Sequence, residues 1–158
     1  MKQMLVRAVR ITQSFRIAFL LLTIIASLAI VGGNFPAAAG DTLRLRTALA
    51  GAAIGGVTPS GKAEFRSRPG SSSFTVQVED VNLTAGTVLR VCVTPSGFSE
   101  ATAGTITLAG VAPALGGVLD LDGRDGDPIP ASIGSGTLVT VKSGASCAAG
   151  TIRLTGVL

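Results

Sequence analysis

From Asp41 to the C-terminus, apolar side chains recur at every second position instead of every third or fourth, which is the period of a half-buried β-strand. Leu43, Leu45 and Leu49 alternate with Arg44, Arg46 and Ala48, and Ala63 and Phe65 with Lys62, Glu64 and Arg66. Phe74, Val76 and Val78 face one way while Thr75, Gln77 and Glu79 face the other. Leu89, Val91 and Val93 alternate with Arg90, Cys92 and Thr94, which puts Cys92 on the face opposite the main apolar set. Further runs follow at Ile106/Leu108, Leu119/Leu121, Val139/Val141 and Ile152/Leu154. Pro69-Gly70, Ala85-Gly86, Pro95-Ser96-Gly97, Gly116-Gly117 and Gly134-Ser135-Gly136 mark turns between them. The pattern predicts an all-β fold: a single β-sandwich of about eight strands, immunoglobulin-like or similar, with at most one helical turn at Ser99–Thr102. The alternation at Thr42–Ala50 and at Thr151–Leu158 is alike, so the two ends are expected in neighbouring strands.

The first 40 residues follow a different rule. Lys2, Arg7, Arg10 and Arg16 precede an uncharged apolar run, Ile17–Val31, that ends at Gly32-Gly33-Asn34 and Pro36. This is the charged-then-apolar order of a secretory leader, an N-terminal hydrophobic helix, and Ala37-Ala38-Ala39 supplies the small residues of a cleavage site. We expect residues 1–39 to be a signal peptide and residues 40–158 to be the β-sandwich domain. The alternative is an uncleaved membrane anchor, since extension of the run to Phe35 approaches the ~20 residues that span a bilayer. Either way the domain is expected outside the cytoplasm, in the periplasm, at the cell surface or secreted.

Division of the chain at that point changes the meaning of its charge. Four of the 13 Lys and Arg lie in the leader, leaving nine against nine Asp and Glu, so the net +4 belongs to the leader and the domain is formally neutral. Its cations stand singly along the sequence from Arg44 to Arg153, which reads as a solvated surface and not as a nucleic-acid face. Phe65, Phe74 and Phe98 are the aromatic residues of the domain, so its core must be built mainly from Val, Leu, Ile and Ala. Two cysteines, Cys92 and Cys147, form an even count in an exported chain, which favours one disulfide; two unpaired, partly buried thiols are the alternative.

Candidate chemistry is sparse. The chain has no histidine, which removes Ser-His-Asp and Cys-His nucleophiles and the usual zinc shells. A carboxylate-pair glycoside hydrolase survives that test, but no Trp or Tyr is present to line a sugar cleft or to stack bases. Gly56–Lys62 (GVTPSGK) matches a phosphate-binding loop as far as its lysine; Ala63 then replaces the Ser or Thr that would hold magnesium, and the following residues alternate like a strand. Asp120, Asp122, Asp125 and Asp127 place four carboxylates in eight residues, a candidate Ca²⁺ site, although Arg124 interrupts an EF-hand register and no Glu closes the loop. The competing reading is a polar turn after a strand. Asn82-Leu83-Thr84 is a glycosylation sequon.

The stretch LRTALAGAAIGGVTPSGKAEFR resembles the start of the chordin-type domain of exported bacterial proteins, where a strand, a Gly/Pro loop and a G-x-A-x-F strand follow one another. SFTVQVEDVNLTAGTVLRVCV stands where that family has its next two strands. The family typically carries histidines in the second of these and this chain has none, so the resemblance implies a β-sandwich and transfers no functional residue. Taken together, these readings lead us to expect a non-enzymatic exported module with a structural, adhesion-like or protein-interaction role. Its partner would be a protein or an envelope component, with no nucleic acid, and with membrane contact only through an uncleaved N-terminus. No cofactor is expected apart from Ca²⁺ in the alternative, a Ca²⁺-assisted binding module.

Overall fold

The computed structural model describes residues 43–158, so the leader, its cleavage after Ala39 and the N-terminal helix lie outside the described residues. The alternating segments form nine strands: β1 (Leu43–Ala50), β2 (Ser60–Arg68), β3 (Ser71–Val81), β4 (Val88–Thr94), β5 (Ala101–Thr107), β6 (Ala109–Val111), β7 (Ala114–Asp122), β8 (Leu138–Ser143) and β9 (Thr151–Val157). No helix occurs among the described residues; the expected turn at Ser99–Thr102 instead leads straight into β5. All nine strands belong to one antiparallel sheet in the order β5-β4-β8-β9-β1-β2-β3-β7-β6. The first and last strands of the described residues, β1 and β9, are neighbours, as their like patterns suggest, through Ala50 opposite Thr155.

The sheet nearly closes on itself because its two outermost strands are consecutive in the chain. Thr107 at the end of β5 still pairs with Val88 of β4, and Ala109 at the start of β6 already pairs with Gly116 of β7. Leu108 alone makes the change, its N–H donating to Thr87 O (2.9 Å) and its carbonyl accepting from Gly86 N–H (2.8 Å). Beyond that point β5 and β7 meet through packing and not through a ladder. A Cβ at Gly117 would lie 2.4 Å from Ile106 Cγ2, and one at Gly104 would lie 2.7 Å from Leu119 Cδ1. Only residues without side chains allow the two strands this approach.

Inside the curl, Phe74, Val76, Val78, Leu89, Val91, Val93, Ile106, Leu115, Val139, Val141 and Leu154 are fully buried. Each such side chain contributes about 1.5–3 kcal/mol of burial free energy, which explains why a mainly aliphatic core with only Phe65 and Phe74 as aromatic members suffices. Two irregularities alter the simple alternation. At Asp80 (φ 56°) β3 bulges, so Val78 and Val81 both point inward although three residues apart. In β9 the register shifts at Arg153, so Leu154 is buried while Ile152, expected on the same face, is 56% exposed.

Candidate functional site

The hairpin β2–β3 turns through Pro69-Gly70, with Arg68 opposite Ser71, and that turn fixes everything across it. Ser73 falls beside Arg66, Thr75 beside Glu64 and Gln77 beside Lys62. On one side β1 places Arg44 beside Arg66 and Arg46 beside Glu64; on the other, β7 places Asp122 beside Ser73 and Asp120 beside Thr75. The outer face therefore carries rows of polar residues across four strands. Short side chains on β3 form a floor between long cationic side chains on β2 and carboxylates on β7. The result is an open groove of about 460 Å³ running along β3.

The cations that stand singly in sequence converge here. Arg44, Arg46, Lys62, Arg66 and Arg68 share the outer face of β1 and β2 with a single carboxylate of those strands, Glu64. Glu64 Oε1 accepts from Arg44 Nε (2.9 Å) and from Arg66 Nε, and Oε2 accepts from Arg46 Nε (2.7 Å). Partial burial pushes the Glu64 carboxyl upward, but the hydrogen bonds from Arg66 and Arg44, with their charges, outweigh it and hold the group below its ordinary value. Arg44 and Arg46 use Nε for this contact, which leaves the terminal amino groups of both guanidiniums for other acceptors. The expectation of dispersed surface cations is corrected accordingly: antiparallel register, invisible in the linear sequence, gathers five of them on one face.

The four aspartates are not brought to one point. Asp120 lies on the groove wall, its Oδ1 accepting from Thr75 Oγ1 (2.7 Å). Asp122 ends β7, and its Oδ1 accepts from Arg124 N–H (2.8 Å). Asp127 Oδ2 accepts from Asp122 N–H (3.0 Å), and Asp125 donates its N–H to Asp122 O (3.0 Å). Asp122–Asp127 is thus a turn whose carboxylates cap its own backbone donors. Among the described residues, the one trio of acidic or sulfur ligands within 4.8 Å is Cys92, Cys147 and Glu100, and there the sulfurs are bonded to each other.

Cys92 and Cys147 form a disulfide with their Cα atoms 5.9 Å apart. Cys92 does face outward, as its place in β4 predicts, yet it is fully buried, because the segment 144–150 folds over it. Under the same cover Lys142 Nζ donates to Glu100 Oε1 (2.7 Å) and to Cys147 O (2.7 Å). Neighbouring Arg90 has a buried Nε with no partner. The loop-like motif 56–62 is a tight turn at Gly55-Gly56 followed by β2, so Lys62 stands on a strand and not at a helix start. Asn82, the sequon residue, is half-buried and donates through Nδ2 to Gly55 O (3.3 Å).

Sequence reasoning missed Ser73, Thr75 and the convergence of Arg44, Arg46 and Arg66. The Pro69-Gly70 turn was a sufficient signal for the β2–β3 half of the groove, because a two-residue connection sets the register of both strands. Comparison with family models, with characterised proteins and with solved structures finds no match.

Proposed function

We infer that the protein is an exported, non-catalytic binding module that engages an envelope or extracellular component through the groove on β2, β3 and β7 and the β1 cations beside it. The observation that carries this reading is the gathering of five cations on one face, three of them on Glu64, beside a floor of short polar residues. A face built only for solvation has no need of a long cationic wall, a low floor and a carboxylate wall in register. A non-catalytic role is supported by Glu64, whose carboxyl is held ionised, whereas an acid that protonates a glycosidic oxygen needs its pKa raised. Export is supported by the leader pattern of residues 1–39 and by the disulfide. Within this reading the curled sheet acts as two facing, sandwich-like layers, supported by the approach of Leu119 to Gly104 and of Ile106 to Gly117.

The test is co-sedimentation of the purified protein with isolated cell envelopes of its host. Ser73→Phe fills the groove floor, while Thr105→Phe places the same bulk on the exposed side of β5. Loss of retention in the first and not in the second is expected. Equal retention of both variants and wild type contradicts the assignment of the groove.

A further inference from the structure

Resting on that reading, we propose that the groove binds an anionic polysaccharide, with the β1–β2 cations holding its carboxylate or sulfate substituents and the β7 wall holding its hydroxyls. Three properties of the groove select this chemistry. The first is mixed charge. Lys62, Arg66 and Arg68 line one side, with Arg44 and Arg46 beside them on β1, but Asp120 and Asp122, followed by Arg124, line the other, across a floor of hydroxyls at Ser73 and Thr75. A chain of sugar units offers both kinds of group, spaced anions for the guanidiniums and hydroxyl donors for the carboxylates.

The second property is what that second wall repels. A duplex nucleic acid presents a charge about every 1.7 Å of its axis and would press phosphates against Asp120 and Asp122. No aromatic ring lies along the groove to stack a base in compensation; a sugar chain, which also finds no ring here, is instead held by ion pairs and by hydrogen bonds to its hydroxyls. The third property is the floor. β3 is hydrogen-bonded along its length to β2 and along most of it to β7, so it has no free backbone edge there. An acidic peptide could not add as a strand and would lose the main-chain hydrogen bonds that give that mode its affinity. The floor from Ser71 to Gln77 extends roughly 20 Å at strand rise, room for a run of sugar units and not for one residue alone.

Arg44 and Arg46 are suited to the role because their Nε bonds to Glu64 orient the two guanidiniums before any ligand arrives. Glu64 is then a positioning residue. The ligand meets terminal amino groups already held in place, which lowers the ordering cost of binding.

The experiment is isothermal titration of the purified protein with a polygalacturonate oligomer and with a heparin oligomer, with neutral dextran, poly-glutamate and duplex DNA as comparisons. We expect binding of one or both acidic glycans, a tenfold or larger loss between 50 and about 500 mM salt, and no heat with dextran. The two glycan arms tell carboxylate from sulfate. R44Q/R46Q is expected to weaken the interaction at least tenfold, as is R44Q/R46Q/E64Q, which does not leave Glu64 without its partners. D120N gives the sign test: glycan binding that needs the β7 wall weakens, whereas simple attraction of a polyanion tightens when a negative charge is removed. Equal or tighter binding by D120N, unaltered binding by either arginine variant, or poly-glutamate or DNA bound as tightly as the glycans would overturn the proposal. Should both glycans fail while Ser73→Phe still abolishes envelope retention, the groove remains the contact surface and only its ligand class is wrong.

Discussion

The same sheet presents two outer faces that have been treated in opposite ways. Over β4 and β8 the outward residues are covered: the 144–150 segment is tied down by Cys92–Cys147, and Lys142 is only 8% exposed beneath it. Over β1, β2, β3 and β7 nothing among the described residues covers the outward side chains, although they carry far more charge. The difference shows that polarity alone does not decide which face is left to solvent. Lys142 is charged and enclosed with its own acceptors, Glu100 and the Cys147 carbonyl. Arg44 and Arg46 share one acceptor and keep donors to spare.

The sharpest way to break this contrast is to remove the tie. Replacement of both cysteines by alanine should cost up to about 4 kcal/mol, the chain-entropy value for a loop of 55 residues. Chemical denaturation measures the loss; a midpoint equal to wild type would mean that the cover holds without its bond. Next in size is the seam that joins the two halves. Gly117→Ala would drive a methyl against Ile106 and the Thr107 carbonyl, and should cost about 1–3 kcal/mol in the same assay. A neutral effect would show that β5 and β7 lie farther apart than described.

Glu100→Gln is expected to cost about 1–2 kcal/mol, since it replaces the carboxylate that neutralises the covered Lys142 ammonium with an uncharged amide. The smallest effect belongs to the open face. Glu64→Gln should change stability by about 1 kcal/mol or less, because the ion pairs are reached by solvent. Its pH dependence has a definite sign. The folded carboxyl lies below its unfolded value, so its contribution is present above the ordinary carboxylate range and is lost as pH falls through the folded value. Thermal melts from neutral to acid pH should therefore converge for wild type and E64Q at the acid end. Divergence there would contradict the assigned shift.

Much of this fold can be read from alternation alone, because a strand with one buried face repeats every two residues and the core positions Phe74, Val76, Leu89 and Val91 obey that rule. Nine strands appear where about eight are expected because β6 is three residues long and fully exposed, so it leaves no periodic trace. The alternation fails where the chain bulges: Val81 is buried out of phase and Ile152 is exposed against it. Cys92 illustrates a different limit. Its outward direction is legible, but its burial depends on a segment 55 residues away. The groove is harder still to foresee, since Arg44, Arg66 and Asp122 become neighbours only through pairings of strands that are distant in sequence. The aspartate cluster, conspicuous in the sequence, divides in the structure between the groove wall and a self-capped turn.

That the uncovered face is the working face can be tested by arginine footprinting with phenylglyoxal, read by mass spectrometry, on the protein free and bound to host envelopes. Labelling of Arg44 and Arg46 should fall several-fold on binding, while that of Arg153, on β9 and bonded to Ser143, should be unaltered. Equal labelling of Arg44 and Arg46 in the two states, with the protein demonstrably bound, would contradict the assignment.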